Sequence, residues 1–147
     1  MDTNYKLLAE RLNALPNGFP PTDDGRELKL LAKLFTPEEA GLAIHVGMKL
    51  EPAAAIAGRA GLSEAEAEAR LKQMSRRGLI FSIEAPDRPH VYMAAQFVVG
   101  IWEYHVNDLD PEFIRDMDEY LPILSGTAFS RLPQLRTIPV GKSISAG

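Results

Sequence analysis

The sequence predicts a mainly α-helical fold that contains one small β-hairpin. Apolar residues recur at helical spacing along most of the chain, and two strand-like segments joined by a turn lie at 79–94. Two helices with a tight joint, a third helix and then a hairpin are the order of a winged helix-turn-helix. We therefore predict such a module at 36–94, extra helices at 1–35 and 95–124, and an extended tail at 125–147.

The N-terminal extension predicts two short amphipathic helices. The first spans 5–15, with Thr3 or Asn4 as its N-cap, and a loop rich in proline with an Asn-Gly pair ends it. The second begins after Asp23 or Asp24 and places its leucines on one stripe. Each helix therefore needs a partner for its apolar face.

The first two helices of the predicted module have strong start and stop signals. Thr36 and Glu39 match a capping box, so a helix begins there and fades at 47–50. The next helix covers 53–60 and is closed by Gly61, because glycine adopts the left-handed conformation at a helix C-terminus without steric cost.

The third helix and the hairpin complete the predicted module. Ser63 begins a helix over 64–77, and Gly78 ends it. Residues 79–84 and 90–94 are then the two strands of the wing, with the turn between them. The apolar residues expected to fill the interior of this module are Leu42, Val46, Leu71, Met74, Ile80 and Val91.

The C-terminal part begins with an apolar segment at 97–106. Its β-branched residues also suit a strand, but we favour a buried helix because the aromatic residues fit a helical stripe. Asp110 starts a further helix through about Tyr120, which Pro122 is expected to stop. Residues from Ser125 onward contain prolines and glycines and are expected to be extended.

Composition favours a single soluble, cytoplasmic domain. The chain has 147 residues, no cysteine and a net charge of −4, and its longest apolar run is far shorter than a membrane span. Basic and acidic residues number 7 and 8 in residues 1–60, 5 and 5 in 61–94, and 4 and 7 in 95–147. No segment has the positive footprint of a nucleic-acid-binding protein.

The third helix of the module would be the recognition helix of a DNA-binding protein. Its first turns carry Glu64, Glu66 and Glu68, which would lie beside phosphates, so DNA binding is disfavoured. The candidate nucleic-acid contacts are Arg70, Lys72, Arg76, Arg77 and Arg88. We favour the alternative that these side chains form a solvated face.

No combination of residues indicates catalysis or metal binding, so we predict that the chain is not an enzyme. His45, His90 and His105 lie in separate segments without ligand spacing. His105 with Asp108 and Asp110 could be imagined as a metal site, but capping of the next helix explains the aspartates more simply. We assign no catalytic, cofactor-binding or metal-ligating residue.

The apolar segment at 97–106 is the predicted interaction surface. We expect it to pack against the N-terminal helices, with any remaining apolar face forming a homodimer contact or the seat of a further domain. Its candidate interface residues are Phe97, Ile101, Trp102 and Tyr104. Trp102 is expected to be buried, with Trp102→Ala destabilising the fold by roughly 3 to 5 kcal/mol.

Three unusual strings carry a family resemblance: residues 34–40 (LFTPEEA), 92–103 (YMAAQFVVGIWE) and 133–144 (PQLRTIPVGKSI). Together they resemble the N-terminal region of bacterial 4Fe-4S ferredoxin-type proteins, in which a winged-helix head precedes cysteine-rich cluster motifs. The resemblance implies 4Fe-4S clusters for a longer parent protein. This cysteine-free chain supplies no cluster ligand, and we favour truncation over a naturally separate head.

Two functions follow as hypotheses. The leading one is a non-catalytic interaction or regulatory module at the N-terminus of an iron–sulfur electron-transfer protein, with an attached or associated iron–sulfur domain as its partner. The alternative is a winged-helix transcriptional regulator that binds DNA and could be linked to redox state. Neither hypothesis involves a membrane.

Overall fold

The structure, a computed structural model, describes residues 2–127. These residues form seven helices and a three-stranded sheet. The helices are α1 (Thr3–Asn13), α2 (Arg26–Leu34), α3 (Pro37–Ala43), α4 (Ala53–Ala60), α5 (Glu64–Arg76), α6 (Ile101–Tyr104) and α7 (Pro111–Thr127). The strands are β1 (Glu51–Pro52), β2 (Ile80–Ala85) and β3 (Arg88–Ala94). The predicted helical chain with a hairpin is thus present, with an additional strand.

The two N-terminal helices form as predicted, but their caps differ from the prediction. Asp2, rather than Thr3 or Asn4, caps α1, and its carboxylate accepts a hydrogen bond from the backbone N–H of Asn4 at 2.8 Å. Gly25 precedes α2 with a φ of +69°, a left-handed conformation that favours glycine. Neither Asp23 nor Asp24 is therefore the N-cap residue of α2.

The caps of α3, α4 and α5 are confirmed. The Thr36 hydroxyl accepts from the N–H of Glu39, whose carboxylate accepts in return from the N–H of Thr36. Gly61 ends α4 with a φ of +68°, and the Ser63 side chain caps α5. However, α3 ends at Ala43, earlier than predicted.

The sheet has the strand order β1-β3-β2, and both pairings are antiparallel. Strand β1 was not predicted, because a two-residue strand has no detectable periodicity. Tyr92 is fully buried, while the predicted core residue Val91 is only half-buried. Since side chains alternate between the faces of a strand, the inward face of β3 carries Tyr92 and Ala94.

The expected long helix at 97–106 is wrong: only Ile101–Tyr104 are helical. Residues 97–99 form a turn, closed by hydrogen bonds from the N–H of Ile101 to the Gln96 carbonyl and from the N–H of Trp102 to the Phe97 carbonyl. Gly100 has a φ of +155°, and a Cβ there would lie 2.5 Å from the Gln96 carbonyl oxygen. The backbone therefore reverses tightly where a helix was expected.

The last helix was predicted to stop at Pro122, but α7 continues through Pro122 to Thr127. Tyr120 and Leu124 on either side of the proline are both fully buried. Burial of these two side chains favours helix continuation despite the missing N–H of Pro122. Residues 125–127 are thus helical rather than extended, and the rest of the predicted tail lies outside the described residues.

Buried side chains from α1 to α7 form one cluster. Phe19 after α1, Phe97 after β3 and Tyr120 of α7 stack edge to face or tilted, with ring centroids 4.6 to 6.4 Å apart. Helix α7 packs on α2, where Lys33 forms an ion pair with Glu112 at 2.9 Å. Helix α7 therefore packs mainly on the N-terminal extension. None of the described helices is long and apolar enough to cross a membrane.

Candidate functional site

A groove of about 600 Å³ lies between the start of α5 and the β2–β3 hairpin. Glu64 and Glu68 line its helical wall, and Arg88 and His90 line the wall formed by β3. Ser63 positions the two carboxylates by starting α5, and Glu64 and Glu68 lie one turn apart on the same face. The groove therefore brings opposite charges to its two walls.

Glu68 joins the two walls of the groove through two hydrogen bonds. Its Oε1 lies 3.0 Å from Nδ1 of His90 and accepts a hydrogen bond from the Tyr92 hydroxyl at 2.9 Å. Burial, followed by the neighbouring Glu68 carboxylate, raises the pKa of the Tyr92 phenol well above its usual value of 10. Tyr92 is therefore a neutral donor at physiological pH, and this contact holds the hairpin against α5.

The carboxylates at the start of α5 remain accessible to solvent. Glu64 and Glu66 are exposed, and Glu68 is partly exposed. Glu66 pairs with Arg70 one turn later at 2.7 Å, an exposed contact of small energy. An approaching polyanion would therefore meet negative charge at this end of the helix.

The five basic residues proposed as nucleic-acid contacts differ in their surroundings. The Arg77 guanidinium forms an ion pair with Glu39 and donates to the Leu34 carbonyl at 2.8 Å, so it joins α5 to α3 and to the end of α2. Within residues 2–127, the side chains of Lys72, Arg76 and Arg88 form no ion pair. Arg88 borders the groove, whereas Arg76 lies roughly 18 Å from the start of α5 along the helix axis.

The residues considered for metal binding have structural partners. Asp110 accepts a hydrogen bond from the N–H of Phe113 at 2.7 Å, so it caps α7 as predicted. Nδ1 of His105 bonds the Ile101 carbonyl at 2.7 Å. Among residues 2–127, no three histidine, aspartate or glutamate side chains are grouped so as to hold a metal ion.

The predicted apolar interface is only partly at the surface. Phe97 and Ile101 are buried in the core, so neither side chain can contact a partner in this arrangement. Trp102 is half-buried and its ring packs edge-on against Phe113, with centroids 5.5 Å apart. Only Tyr104 is largely exposed; its hydroxyl donates to the Arg76 carbonyl at 2.6 Å and its ring lies against Gly78.

A different apolar surface, which was not predicted from the sequence, covers the outer face of the sheet. Phe81 and Ile83 of β2 are 47% and 53% exposed, and Met93 and Val91 lie directly opposite them on β3. Pro52 of β1 continues the second row beside Val91. We call these five residues the outer sheet face. The alternation of side chains along Ile80–Ile83 could have indicated this surface. However, apolar residues lie on both faces of the strand, so the sequence did not show which face is buried.

Comparisons of the chain with protein-family models, with curated proteins and with solved structures find no match.

Proposed function

We propose that residues 36–94 form a winged-helix module that binds protein rather than DNA and serves as a non-catalytic head of an iron–sulfur electron-transfer protein. The order α3, β1, α4, α5, β2, β3 supports the module, because helix-turn-helix and wing follow each other as the motif requires. The placement of β3 between β1 and β2 agrees with a hairpin wing packed beside the third helix.

The observation that carries the proposal is the acidic start of α5. In a helix-turn-helix protein this end of the recognition helix enters the major groove, with phosphates on both sides. Here it presents Glu64, Glu66 and Glu68, and Glu68 is already bonded to His90 and Tyr92. Affinity for DNA comes largely from cations that neutralise phosphates, so this surface opposes DNA binding.

Two of the nearby cations are engaged within the chain. Arg70 pairs with Glu66, and Arg77 joins Glu39 and the Leu34 carbonyl. These arginines would have to break their contacts within the chain before they could bind phosphates. The outer sheet face, in contrast, offers large apolar side chains to solvent, and such patches favour protein partners.

The iron–sulfur part of the proposal rests on the resemblance of residues 34–40, 92–103 and 133–144. The described parts of these strings lie at the α2–α3 junction and from β3 into α6. Because the chain has no cysteine, any cluster would be held by another polypeptide segment. Sequencing the gene beyond the codon for Gly147 tests this: cysteine-rich motifs support the proposal, and an immediate stop codon removes its main support.

DNA binding is tested by fluorescence anisotropy with a random-sequence duplex over a range of salt concentrations. We expect weak binding that disappears at moderate salt, because only a few nonspecific phosphate contacts remain. A variant with Glu64→Gln and Glu66→Gln should bind more tightly, whereas Glu112→Gln on α7 is the matched control and should not. Tight binding by the unmodified chain at physiological salt would contradict the proposal.

A DNA-binding regulator is the second candidate. The favourable observation is that Lys72, Arg76 and Arg88 have no ion pair within residues 2–127, and Arg88 begins β3 at the turn of the hairpin. An arginine in the wing can contact a phosphate of the DNA backbone beside the major groove. On this hypothesis, Arg88→Ala would weaken DNA binding and reduce its salt dependence.

A further inference from the structure

The strand β2 forms an open edge of the sheet. It pairs with β3 on one side only, and no other strand of the described residues lies on its second side. Edge strands are usually protected by lysine, proline or a bulge. Residues Ile80–Ile83 contain neither lysine nor proline, and the only register irregularity lies between Ile83 and Ala85, next to the turn.

The same edge strand carries two exposed members of the outer sheet face, Phe81 and Ile83. Phe81 and Ile83 point outward, while Ile80 is buried and Ser82 faces α5, where its hydroxyl donates to Oγ of Ser75 at 3.1 Å. An added strand would therefore meet apolar side chains on one face and small or covered ones on the other. Pairing by strand addition is the recognition mode that fits such an edge.

We infer that β2 pairs antiparallel with β2 of a second copy of this chain, in a two-fold symmetric dimer centred on Ser82. This register places Phe81 of each copy opposite Ile83 of its partner, and Ser82 opposite the partner's Ser82. Residues directly opposite in antiparallel strands share a face, so both apolar pairs lie on the outer sheet face.

The sequence of β2 favours a dimer centred on Ser82 over one centred on Phe81 or Ile83. A dimer centred on Phe81 would leave Ile83 opposite Leu79, which precedes the strand and is buried in the core, so its side chain is not available as a partner. A dimer centred on Ile83 would place Phe81 opposite the smaller Ala85. Only the register about Ser82 gives each large exposed side chain a large apolar partner. The same patch serves both copies, as a two-fold interface requires.

The small area of contact limits the strength of the dimer. Phe81 is about half exposed, and a buried aromatic side chain covers about 150 to 250 Å², so Phe81 offers roughly 100 Å² and Ile83 a similar amount. A stable interface buries about 800 Å² per partner. The strand edge and these side chains fall below that, so the dimer is weak and forms with increasing concentration.

Disulfide trapping of the full chain tests the register, since the protein has no cysteine of its own. Symmetric pairing brings the two Ser82 Cα atoms to about 4.5 to 5.5 Å, within the range of a disulfide. We expect Ser82→Cys to form a covalent dimer under mild oxidation much faster than the exposed control Ser125→Cys. Adding Phe81→Lys should abolish that advantage, whereas adding Leu7→Lys, a similarly exposed position on α1, should not.

Sedimentation equilibrium of the unmodified chain provides the second measurement. We expect a reversible monomer–dimer equilibrium whose dissociation constant rises at least about tenfold in Ile83→Lys, equivalent to about 1.4 kcal/mol. A monomer at all concentrations up to about 1 mM, the weak end of the affinity scale, would overturn the inference. Equal crosslinking of Ser82→Cys and Ser125→Cys would overturn it too. The dimer does not depend on the iron–sulfur or DNA hypotheses, so its failure would leave both unchanged.

Discussion

The Tyr92 hydroxyl on β3 donates a 2.9 Å hydrogen bond to Oε1 of Glu68 on α5. Because Tyr92 is fully buried, its ring also fills the space between the sheet and the helices. The contact therefore fixes the angle between the hairpin and α5, which form the two walls of the groove.

Removing this hydroxyl tests its contribution. Tyr92→Phe keeps the ring in the core and should lower the free energy of unfolding by about 1 kcal/mol, since Glu68 loses one donor. Glu64→Gln, on the same helix face, should change it by less than about 0.5 kcal/mol. Urea denaturation measures both. Equal stability of Tyr92→Phe and the unmodified protein would mean that the hydrogen bond contributes nothing.

The full burial of Phe97 and the partial burial of Trp102 revise the expectations for these two side chains. Phe97→Ala should destabilise the fold by roughly 3 to 5 kcal/mol, because Phe97 is enclosed by Phe19 and Tyr120. Trp102 is half-buried, so Trp102→Ala should cost less than Phe97→Ala. Thermal and urea unfolding of the two variants gives the order, and the reverse order would contradict the packing described for this segment. Trp102 fluorescence should likewise be partly accessible to an added quencher.

Pro122 gives a prediction of increased stability. It is exposed, lies inside α7 and cannot donate to the Asp118 carbonyl one turn earlier. Pro122→Ala should restore that bond and stabilise the protein by about 1 to 3 kcal/mol. Leu121→Ala, its exposed neighbour, is the control and should have little effect. A lower melting temperature for Pro122→Ala would indicate that α7 requires the proline geometry for its packing.

Asp110 gives a prediction of pH dependence. The pKa of this carboxyl lies below its ordinary value, mainly because the carboxylate accepts a hydrogen bond from the backbone N–H of Phe113. A lowered pKa means that the ionised carboxylate stabilises the folded state above the unfolded pKa of about 4, and that this contribution is lost as the pH falls through the folded pKa. The stability difference between the unmodified protein and Asp110→Ala should therefore shrink below about pH 4.

Asp110→Asn is the control for that titration, because asparagine also caps a helix but does not ionise. The difference in folding stability between Asp110→Asn and Asp110→Ala should stay constant from neutral to acidic pH, as measured by thermal unfolding. If the unmodified protein keeps its full advantage over Asp110→Ala at pH 2 to 3, the carboxylate is not the stabilising form.

Local signals explain which parts of the fold were predictable. The Thr36 capping box, the Ser63 cap and the left-handed Gly61 depend on a few adjacent residues, and all three were predicted correctly. Tertiary contacts decided the rest. The strand β1 exists because it pairs with β3, and α7 continues past Pro122 because the flanking side chains are buried.

The candidate surfaces also include features that local sequence shows and features that only tertiary contacts determine. The acidic start of α5 was evident from the spacing of its glutamates, whereas the contact of Glu68 with His90 and Tyr92 depends on how the hairpin folds back on the helix. Phe97 was expected at an interface because it is large and apolar. Its burial depends on Phe19 and Tyr120, which are distant in sequence.

The proposed lack of DNA recognition by residues 36–94 can be tested by selection from a random duplex pool. The unmodified chain is incubated with the pool at physiological salt, bound duplexes are recovered through repeated rounds, and enriched sequences are examined by footprinting. The acidic start of α5 predicts no enriched consensus and no footprint. A reproducible consensus that gives a defined footprint, lost in Arg88→Ala, would contradict the proposal.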